Sequence, residues 1–275
     1  MKMKSFIADK NRKLSKLALY HIDDLSYTAF MKALRKKDVK VNGKRVSEDV
    51  TLNVGDLVEV YYTPVITNNF DVIYVDENVL VVYKKSGCTS EKLYEDINAK
   101  YNNARFIHRL DRNTDGVMIF ALNEQSETLL LDGFKNRTFI KKYHAVVKGV
   151  PKVKQAILTA YLVKDAESST VKIFDRKVNG SVQIKTGYKV VETHGKTSLL
   201  EVELFTGKTH QIRAHLAYIG HPIIGDGKYG DFALNDSLNK KSQMLTAVSL
   251  ELHFEKECLL SYLNGKIFTA KNIKG

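Results

Sequence analysis

The sequence is poor in cysteine and proline and has no tryptophan: its 275 residues include two cysteines and three prolines. Because Cys88 and Cys258 are far apart and form no CxxC pair, the sequence predicts neither a disulfide scaffold nor a zinc ribbon. Apolar runs such as residues 79–82 fall far short of the ~18 residues of a membrane span. Residues 1–16 lack the apolar segment of a secretory signal. We therefore expect a cytoplasmic protein with no metal site and no membrane partner.

The positive charge is concentrated near the start of the sequence. The chain carries a formal net charge of +12, from 43 Lys and Arg against 31 Asp and Glu. Residues 1–46 hold thirteen of the basic residues and four of the acidic ones, a net charge of +9. Such a basic segment favours RNA as the partner, because phosphate contacts release counterions. A lysine-rich solvated surface is the alternative, since charge alone does not separate the two.

The basic segment has the pattern of a small folded module. Ser26 has the chemistry of a helix N-cap, and Asn42-Gly43 between two short β-prone runs predicts a hairpin turn. Residues 57–62 (LVEVYY) predict a strand. The apolar residues that follow Ser26 with the spacing of one helical stripe are Tyr27, Phe30, Met31 and Leu34. The segment therefore predicts two helices followed by a small sheet.

Residues 12–62 resemble the S-four type of RNA-binding module, through LSYTAFMKALRKKDVKVNGKRV followed by LNVGDLVEV. A generic helical hairpin with basic surface residues is the alternative. We expect residues 1–62 to form a small α/β RNA-binding module, residues 63–69 (TPVITNN) a linker and residues 70–275 a catalytic domain. The RNA contacts that the resemblance implies are Lys32, Arg35, Lys36, Lys37, Lys40, Lys44 and Arg45.

Charged residues crowd a loop that precedes an apolar run in the second domain. The segment is FIHRLDRNTDGVMIFAL, in which residues 117–122 predict a buried strand and residues 109–116 a polar loop. Charges beside a core are costly unless they are paired. The loop is therefore either an ion-paired structural element or the carrier of an aspartate that is kept ionised for chemistry.

Residues 137–149 (RTFIKKYHAVVKG) predict a strand. With period two, Tyr143 lies on its more apolar face, and a core tyrosine is the simplest interpretation. The residues expected to share that face are Phe139, Lys141, Tyr143, Ala145 and Val147.

Residues 199–230 predict a half-exposed strand followed by a helix that Thr209 caps and that ends near Gly220. Arg213 falls near the first helical turn, where an arginine holds a carboxylate or phosphate, or else lies on the surface. The spacings of five and six between His210, His215 and His221 place them on no common helical face. We therefore expect these histidines to form hydrogen bonds and not to bind zinc.

Together, three segments resemble the RluA-type family of pseudouridine synthases over roughly residues 70–255. They are HRLDRNTDG, KKYHAVVKG and TGKTHQIRAHLAYIGHPIIGDGKYG. The sequence departs from the family pattern at three places. Asp115 stands where the family usually has serine, VVYKKSGC lacks the usual lysine-proline pair, and LTAVSL lacks a common histidine.

The resemblance implies an α+β catalytic domain on a mostly antiparallel mixed sheet with flanking helices. It implies isomerisation of specific uridines in structured RNA by base flipping and an Asp111-dependent glycosidic bond exchange, without a cofactor. Arg213 would pair with Asp111, Tyr143 would lie against the uracil, and Arg109 would enter the gap left by the flipped uridine. Further substrate contacts are expected from His108, Thr209, His210 and Gln211.

Several alternatives stay open at this point. A module of this kind favours ribosomal RNA as the substrate, with a tRNA-specific synthase as the alternative. A non-catalytic RNA-binding or ribosome-assembly factor on the same scaffold is the other possibility, because fold alone does not establish function. A hydrolytic glycosidase would need a second essential carboxylate and an activated water, whereas the family pattern offers one essential aspartate, which is consistent with isomerisation. A monomer is the default expectation.

Overall fold

The computed structural model describes residues 2–22, 25–63, 69–165 and 168–270. The chain divides into two compact units, which lie within residues 1–68 and 69–275. Most of the expected linker, residues 64–68, lies outside the described residues. No helix within the described ranges is long and apolar enough to cross a membrane.

The N-terminal unit combines two helices with two small antiparallel sheets. Its elements in the described residues are β1 (Lys2–Ile7), β2 (Arg12–Lys13), α1 (Leu14–His21), α2 (Tyr27–Arg35), β3 (Val39–Val41), β4 (Lys44–Val46), β5 (Thr51–Leu52) and β6 (Leu57–Tyr62). The larger sheet has the strand order β1-β6-β3-β4, and β2 pairs with β5. The apolar sides of both helices pack with β3 and β6 in one core.

The predicted cap, hairpin and last strand of this unit are confirmed. Ser26 Oγ accepts the Ala29 N–H at 3.1 Å, which begins α2. Asn42 and Gly43 have φ of +50° and +79°, as a two-residue hairpin turn requires.

Two expectations for this unit were wrong. Tyr27 is 59% exposed, because the inner face of α2 is completed by Ala29 and Ala33, which let the helix approach the sheet closely. The unit also begins with a strand, β1, ahead of the two helices. Only Phe6 of β1 is buried, so the strand leaves no alternating apolar pattern in the sequence.

The C-terminal unit is built on one large sheet with helices packed against it. Its elements in the described residues are β7 (Phe70–Val75), β8 (Val79–Lys84), α3 (Ser90–Asn98), β9 (Arg105–Phe106), β10 (Asp115–Ala121), α4 (Glu124–Asn136), β11 (Ile140–Lys148), β12 (Gln155–Asp165), β13 (Thr170–Phe174), β14 (Val182–His194), β15 (Thr197–Leu204), α5 (Gln211–Tyr218), α6 (Phe232–Ser237), β16 (Leu245–Glu251), a 3₁₀ turn (Ser261–Leu263) and β17 (Ile267–Thr269).

The large sheet has the strand order β13-β12-β14-β15-β11-β16-β10-β8-β7, with β9 beside β10 and β17 beside β16. Between described strands of this sheet, β10 and β16 form the sole parallel pair. Gly116 makes that pairing possible: its φ is +123°, and a Cβ there would collide with the Ala247 backbone. The predicted α+β domain on a mostly antiparallel sheet is confirmed.

The central strands β8 and β10 are buried on both faces. Alternate residues contribute to two different cores, one containing Val82 and Met118 and the other containing Val81 and Ile119. Burial on both sides explains why these strands read as continuous apolar runs and not as alternating ones.

The expected shared face of residues 139–147 is confirmed for Tyr143, Ala145 and Val147 and was wrong for Phe139 and Lys141. Phe139 precedes β11 and packs edge-on against Phe134, and the Lys141 Nζ lies 5.5 Å from the same ring. Tyr143 instead joins the core on the other side of the sheet. The pairing of β11 with β16 shifts register between Lys142 and Tyr143, which interrupts the regular alternation.

Candidate active site

Asp111 lies in the loop that leads into β10. Ser90, at the start of α3, anchors this loop: its Oγ donates to the Leu110 carbonyl and accepts the Leu110 N–H, each at 2.9 Å. The Asp111 side chain is 21% exposed. A firmly held backbone therefore presents a partly solvated carboxylate.

Lys84, the last residue of β8, holds the same loop from its buried side. Its side chain is fully buried, and its Nζ donates to the carbonyls of Asp111 at 3.2 Å, Arg112 at 3.1 Å and Thr114 at 2.8 Å, with Lys85 O also at 3.2 Å. Burial lowers the pKa of Lys84 to about 8, against the opposing influence of nearby anionic groups. Lys84 was not identified from the sequence, because a lysine at the end of a strand normally reaches solvent.

Arg213 joins two carboxylates in the interior of the unit. Its Nη1 donates to Asp111 Oδ2 at 2.8 Å, while Nε and Nη2 donate to the two carboxylate oxygens of Asp226 at 2.7 and 2.8 Å. Its side chain is 8% exposed, so Arg213 is not a surface arginine. This fork-like pairing with Asp226 fixes the guanidinium plane and aims Nη1 at Asp111.

Asp226 was not identified from the sequence. It is fully buried, and its Oδ1 also accepts the backbone N–H groups of Lys228 at 2.8 Å and Tyr229 at 3.1 Å. Burial alone would raise the pKa of Asp226, but Arg213 and the two backbone donors outweigh it and hold the pKa below its usual value. The one signal in the sequence was a carboxylate between two glycines, Gly225 and Gly227, in the IGDGKYG segment.

Tyr143 extends from β11 into the same cleft and is 8% exposed. Burial, assisted by the charge of Asp111, raises the pKa of its phenol above the ordinary value. Tyr143 is therefore a neutral phenol at physiological pH.

The cleft has a volume of about 140 Å³ and opens to solvent on one side. Arg109 stands at its edge, 66% exposed, with Nη1 3.2 Å from Glu91 Oε1. Thr209 is also exposed at the edge. The lining residues are Arg109, Leu110, Asp111, Thr114, Tyr143, Leu204, Gly207, Lys208, Thr209, His210, Gln211, Ile212, Arg213 and Leu245.

The start of α5 differs from expectation at Thr209. His210 is the N-cap, in a left-handed conformation with φ of +53°, and the helix begins at Gln211. The assignment of Thr209 as the cap was wrong, because the chain turns at His210 before it becomes helical. His210 Nε2 lies 3.9 Å from Asp111 Oδ2, and its Nδ1 lies 3.0 Å from the Tyr229 hydroxyl.

Gln211 was predicted to contact substrate, but its amide is fully used within the protein. Its Oε1 accepts from Thr206 Oγ1 at 2.8 Å and from Lys208 N at 3.1 Å, and its Nε2 donates to Lys185 O and Thr186 Oγ1. Gln211 is buried and fixes the loop before α5. Gln211 also lines the cleft, and its contact with substrate stays a prediction.

His108 was also predicted to contact substrate, and the structure places it elsewhere. Its ring stacks on Phe134 at 4.4 Å, and its Nε2 accepts the Ile119 N–H at 3.2 Å. These partners belong to the core on the far side of the sheet from Tyr143. The prediction was wrong because neighbouring residues before a strand turn to opposite faces. Burial lowers the pKa of His108 to about 3, so the ring is neutral.

The other two histidines of the α5 segment form hydrogen bonds. His215 Nδ1 pairs with Thr186 Oγ1 at 3.1 Å, and His221 Nδ1 pairs with the Lys148 carbonyl at 2.8 Å. The described residues contain no group of three or more His, Cys, Asp or Glu that could hold a metal ion.

Asp115, which replaces the serine of the family pattern, ties three strands together. Tyr83 of β8 donates its hydroxyl to Asp115 Oδ2, and Thr246 of β16 donates to Oδ1, each at 2.6 Å. Asp115 therefore forms a carboxylate bridge at the end of the Asp111 loop, and it is not among the residues that line the cleft.

Comparison with known proteins explains the arrangement of Asp111, Tyr143 and Arg213. A sequence model of the RNA pseudouridylate synthase family matches residues 76–218, about half of the chain, and this range contains all three. The chain belongs to this family. It is therefore an isomerase that forms pseudouridine in RNA.

Two curated relatives are named ribosomal large subunit pseudouridine synthase C. The protein of Vibrio vulnificus is 31% identical over 76% of this chain and 74% of its own length. That of Escherichia coli is 30% identical over 79% of this chain and 76% of its own length. An uncharacterized RNA pseudouridine synthase of Mycoplasma capricolum is 29% identical over 94% of this chain and 93% of its own length.

The solved structure titled human RNA pseudouridylate synthase domain containing 1 has the same fold. It superposes with a TM-score of 0.62 at 25% identity and covers 72% of this chain and 84% of that one.

Proposed function

We propose that this synthase isomerises specific uridines of ribosomal RNA, with Asp111, Arg213 and Tyr143 as its catalytic residues. The observation that carries the assignment is the 2.8 Å ion pair between Arg213 Nη1 and Asp111 Oδ2 at the base of an open cleft. It holds one carboxylate in a fixed direction, aimed where a flipped base enters.

The reaction breaks the bond from the ribose anomeric carbon to uracil N1 and forms a bond from the same carbon to uracil C5. N1 gains a proton and C5 loses one, so the product is an isomer and no electrons are exchanged. Asp111 serves as the nucleophile or stabilises positive charge on the sugar while the base rotates. This requires no cofactor.

Tyr143 supplies a flat, largely buried surface for the uracil. Because its raised pKa keeps the phenol neutral, Tyr143 acts by packing and hydrogen bonding. Assistance in removing the C5 proton requires the phenol to pass its own proton on in the same step.

Arg109 is the residue that fills the gap left by the flipped uridine. Its ion pair with Glu91 is highly exposed and therefore weak, so the side chain exchanges it for RNA at little cost. Thr209 and His210 complete the expected substrate contacts at the edge of the cleft.

The names of the curated relatives support ribosomal RNA as the substrate class. We further propose that residues 1–62 form an RNA-binding module, joined by residues 63–69 to the catalytic domain at 70–275, in a cytoplasmic monomer. All but one of its predicted RNA contacts are exposed; the half-buried Lys40 lies 3.8 Å from Glu59. The exposed group is Lys32, Arg35, Lys36, Lys37, Lys44 and Arg45.

The test is tritium release from RNA that carries 5-tritiated uridine, with unmodified ribosomal RNA transcripts and bulk tRNA offered in parallel. We expect release from ribosomal RNA by the wild type and none by Asp111→Asn, which retains RNA binding. Release from tRNA alone would establish a tRNA-specific synthase. Salt-dependent binding without release from either RNA would favour the assembly-factor alternative.

The role of the N-terminal module is tested with glutamine at Lys44 and Arg45, both in the β4 hairpin. We expect weaker RNA binding and a shallower salt dependence of the binding constant, with the rate at saturating RNA unchanged. The matched control places glutamine at Lys240 and Lys241, two adjacent exposed lysines of the catalytic unit. An equal loss of binding in both variants would contradict a dedicated module.

A further inference from the structure

His210 lies beside the catalytic carboxylate in an uncommon backbone conformation. A histidine with φ of +53° is one of few non-glycine residues in the left-handed region, and such conformations persist where the surroundings hold them. Its two ring nitrogens face different partners: Nδ1 the Tyr229 hydroxyl at 3.0 Å, and Nε2 Asp111 Oδ2 at 3.9 Å.

The hydrogen bonds of Tyr229 favour one tautomer of His210. The Val171 N–H donates to the Tyr229 hydroxyl at 2.8 Å, so one lone pair of that oxygen is occupied. Within the described residues, His210 Nδ1 is the remaining partner of this hydroxyl. If Tyr229 donates to Nδ1, both groups are satisfied and the ring proton sits on Nε2, facing Asp111.

Burial and two nearby cations keep the ring of His210 neutral. Burial is the largest influence and, with the positive charges of Arg213 and Lys228, lowers the pKa of His210 against the opposing carboxylates of Asp111 and Asp226. Asp111 in turn is faced by Tyr143 from β11 and by Lys84 from β8. The titratable and charged groups packed around the pair are Asp111, Tyr143, Lys84, Arg213, Asp226, Lys228 and Tyr229.

We propose that His210 is a positioning residue for Asp111, held by Tyr229 as the tautomer that donates from Nε2 to Asp111 Oδ2. The proposal rests on the proposed catalytic role of Asp111. Arg213 Nη1 already occupies Oδ2, so both donors converge on one oxygen. In the described residues, no hydrogen bond reaches Oδ1, which leaves that oxygen to face the ribose.

Closure of the 3.9 Å gap to hydrogen-bonding distance accompanies RNA binding, because hydrogen bonds of catalytic groups are often long before the substrate arrives. A second donor on Oδ2 restricts the rotation of the carboxylate. His210 thus acts through the orientation of Asp111.

Two amide substitutions separate the functions of the two ring nitrogens. His210→Gln retains an N–H near the position of Nε2, whereas His210→Asn retains one near Nδ1 and suits the left-handed backbone. We expect His210→Asn to lower the single-turnover rate about tenfold, a larger change than in KM. His210→Gln retains most of the rate.

A second measurement does not depend on activity. Nitrogen-15 NMR of the imidazole in free wild-type enzyme should show His210 protonated on Nε2, and Tyr229→Phe should abolish the preference between the two nitrogens. A proton on Nδ1, or equal rates for the Asn and Gln variants, would overturn the proposal. If the wild type shows no Asp111-dependent tritium release, the proposed function is contradicted. The NMR result tests the tautomer of His210 independently of that activity.

Discussion

Two carboxylates share one arginine, and their surroundings differ sharply. Asp226 is fully buried, and each of its oxygens accepts from Arg213, with two backbone N–H groups added on Oδ1. Asp111 is 21% exposed and meets Arg213 through Oδ2 alone. Arg213 therefore has one closed side and one side open to the cleft.

The difference shows how one residue type acquires two roles. A carboxylate whose acceptor positions are filled by fixed donors has no capacity to bind anything else and acts as an anchor. A carboxylate with a free oxygen, a solvated side and one charged partner retains the capacity to react. We therefore expect substitution of Asp111 to change chemistry and substitution of Asp226 to change stability.

The largest effect is expected from Asp111→Asn. Loss of the reacting carboxylate should lower the rate of tritium release by at least about 10³-fold, because the reaction then has no nucleophile or charge stabiliser. The urea midpoint should change little, since asparagine keeps the size of a partly exposed side chain. If Asp111→Asn lost stability in proportion to activity, Asp111 would have the structural role that we expect of Asp226.

Asp226→Asn tests the closed side of Arg213. Removal of one partner from a buried ion pair costs about 3–5 kcal/mol, so the free energy of unfolding should fall by that amount in urea titrations. Asp236→Asn, at an exposed aspartate of α6, is the matched control and should be neutral within about 0.5 kcal/mol. Equal midpoints for the two variants would show that Arg213 does not depend on Asp226.

Lys84→Met sharpens the comparison by removing the support beneath Asp111. Three loop carbonyls lose their donor, which should cost about 2 kcal/mol and reduce the rate at saturating RNA. Lys85→Met, at the adjacent and partly exposed lysine, is the control. A rate equal to that of the control would show that the loop holds its shape without Lys84.

The same pair of variants has a predicted pH dependence. The pKa of Lys84 is about 8 in the folded protein, below its ordinary value of 10.5, so between these pH values the unfolded chain binds more protons than the folded one. Stability from this group therefore rises with pH over that window. The difference in unfolding free energy between the wild type and Lys84→Met should grow from pH 7.5 to pH 9.5. The difference between the wild type and Lys85→Met should stay constant over the same range.

The smallest effect is expected from Asp115→Ser, which restores the residue usual in the family. Asp115 is a third carboxylate of this region, and its two hydroxyl donors come from neutral side chains, Tyr83 and Thr246. Loss of these bonds should lower the unfolding free energy by about 1 kcal/mol and leave the rate near that of the wild type. A large loss of rate would show that this bridge also orients Asp111.

The parts of the site that the sequence predicts are those whose chemistry is carried by a short motif. Asp111, Tyr143 and Arg213 lie in three separated segments, and the structure brings them to one cleft. Asp226 and Lys84 escaped prediction for one physical reason: both are charged groups buried against specific partners. Hydrophobic patterns carry no information about such pairing.

Other failures come from geometry that local patterns do not encode. The apolar run of β10 predicted a buried strand correctly, because burial on both faces leaves an unbroken signal. The sheet face on which a side chain lies depends on the pairing with neighbouring strands. The register shift after Lys142 places Phe139 and Tyr143 on opposite faces, and His108 points away from the cleft that Arg109 borders.

The contacts of the cleft and of the β10–β16 pair join segments that the ribosome synthesises at different times. Asp111 and Arg213 are 102 positions apart, and Thr246 meets Asp115 across 131 positions. At about 5–20 residues per second, the ribosome needs roughly 7 to 26 seconds to supply that second partner. Asp111 therefore emerges long before Arg213 and β16, and the nascent chain carries an unassembled cleft until both have been translated.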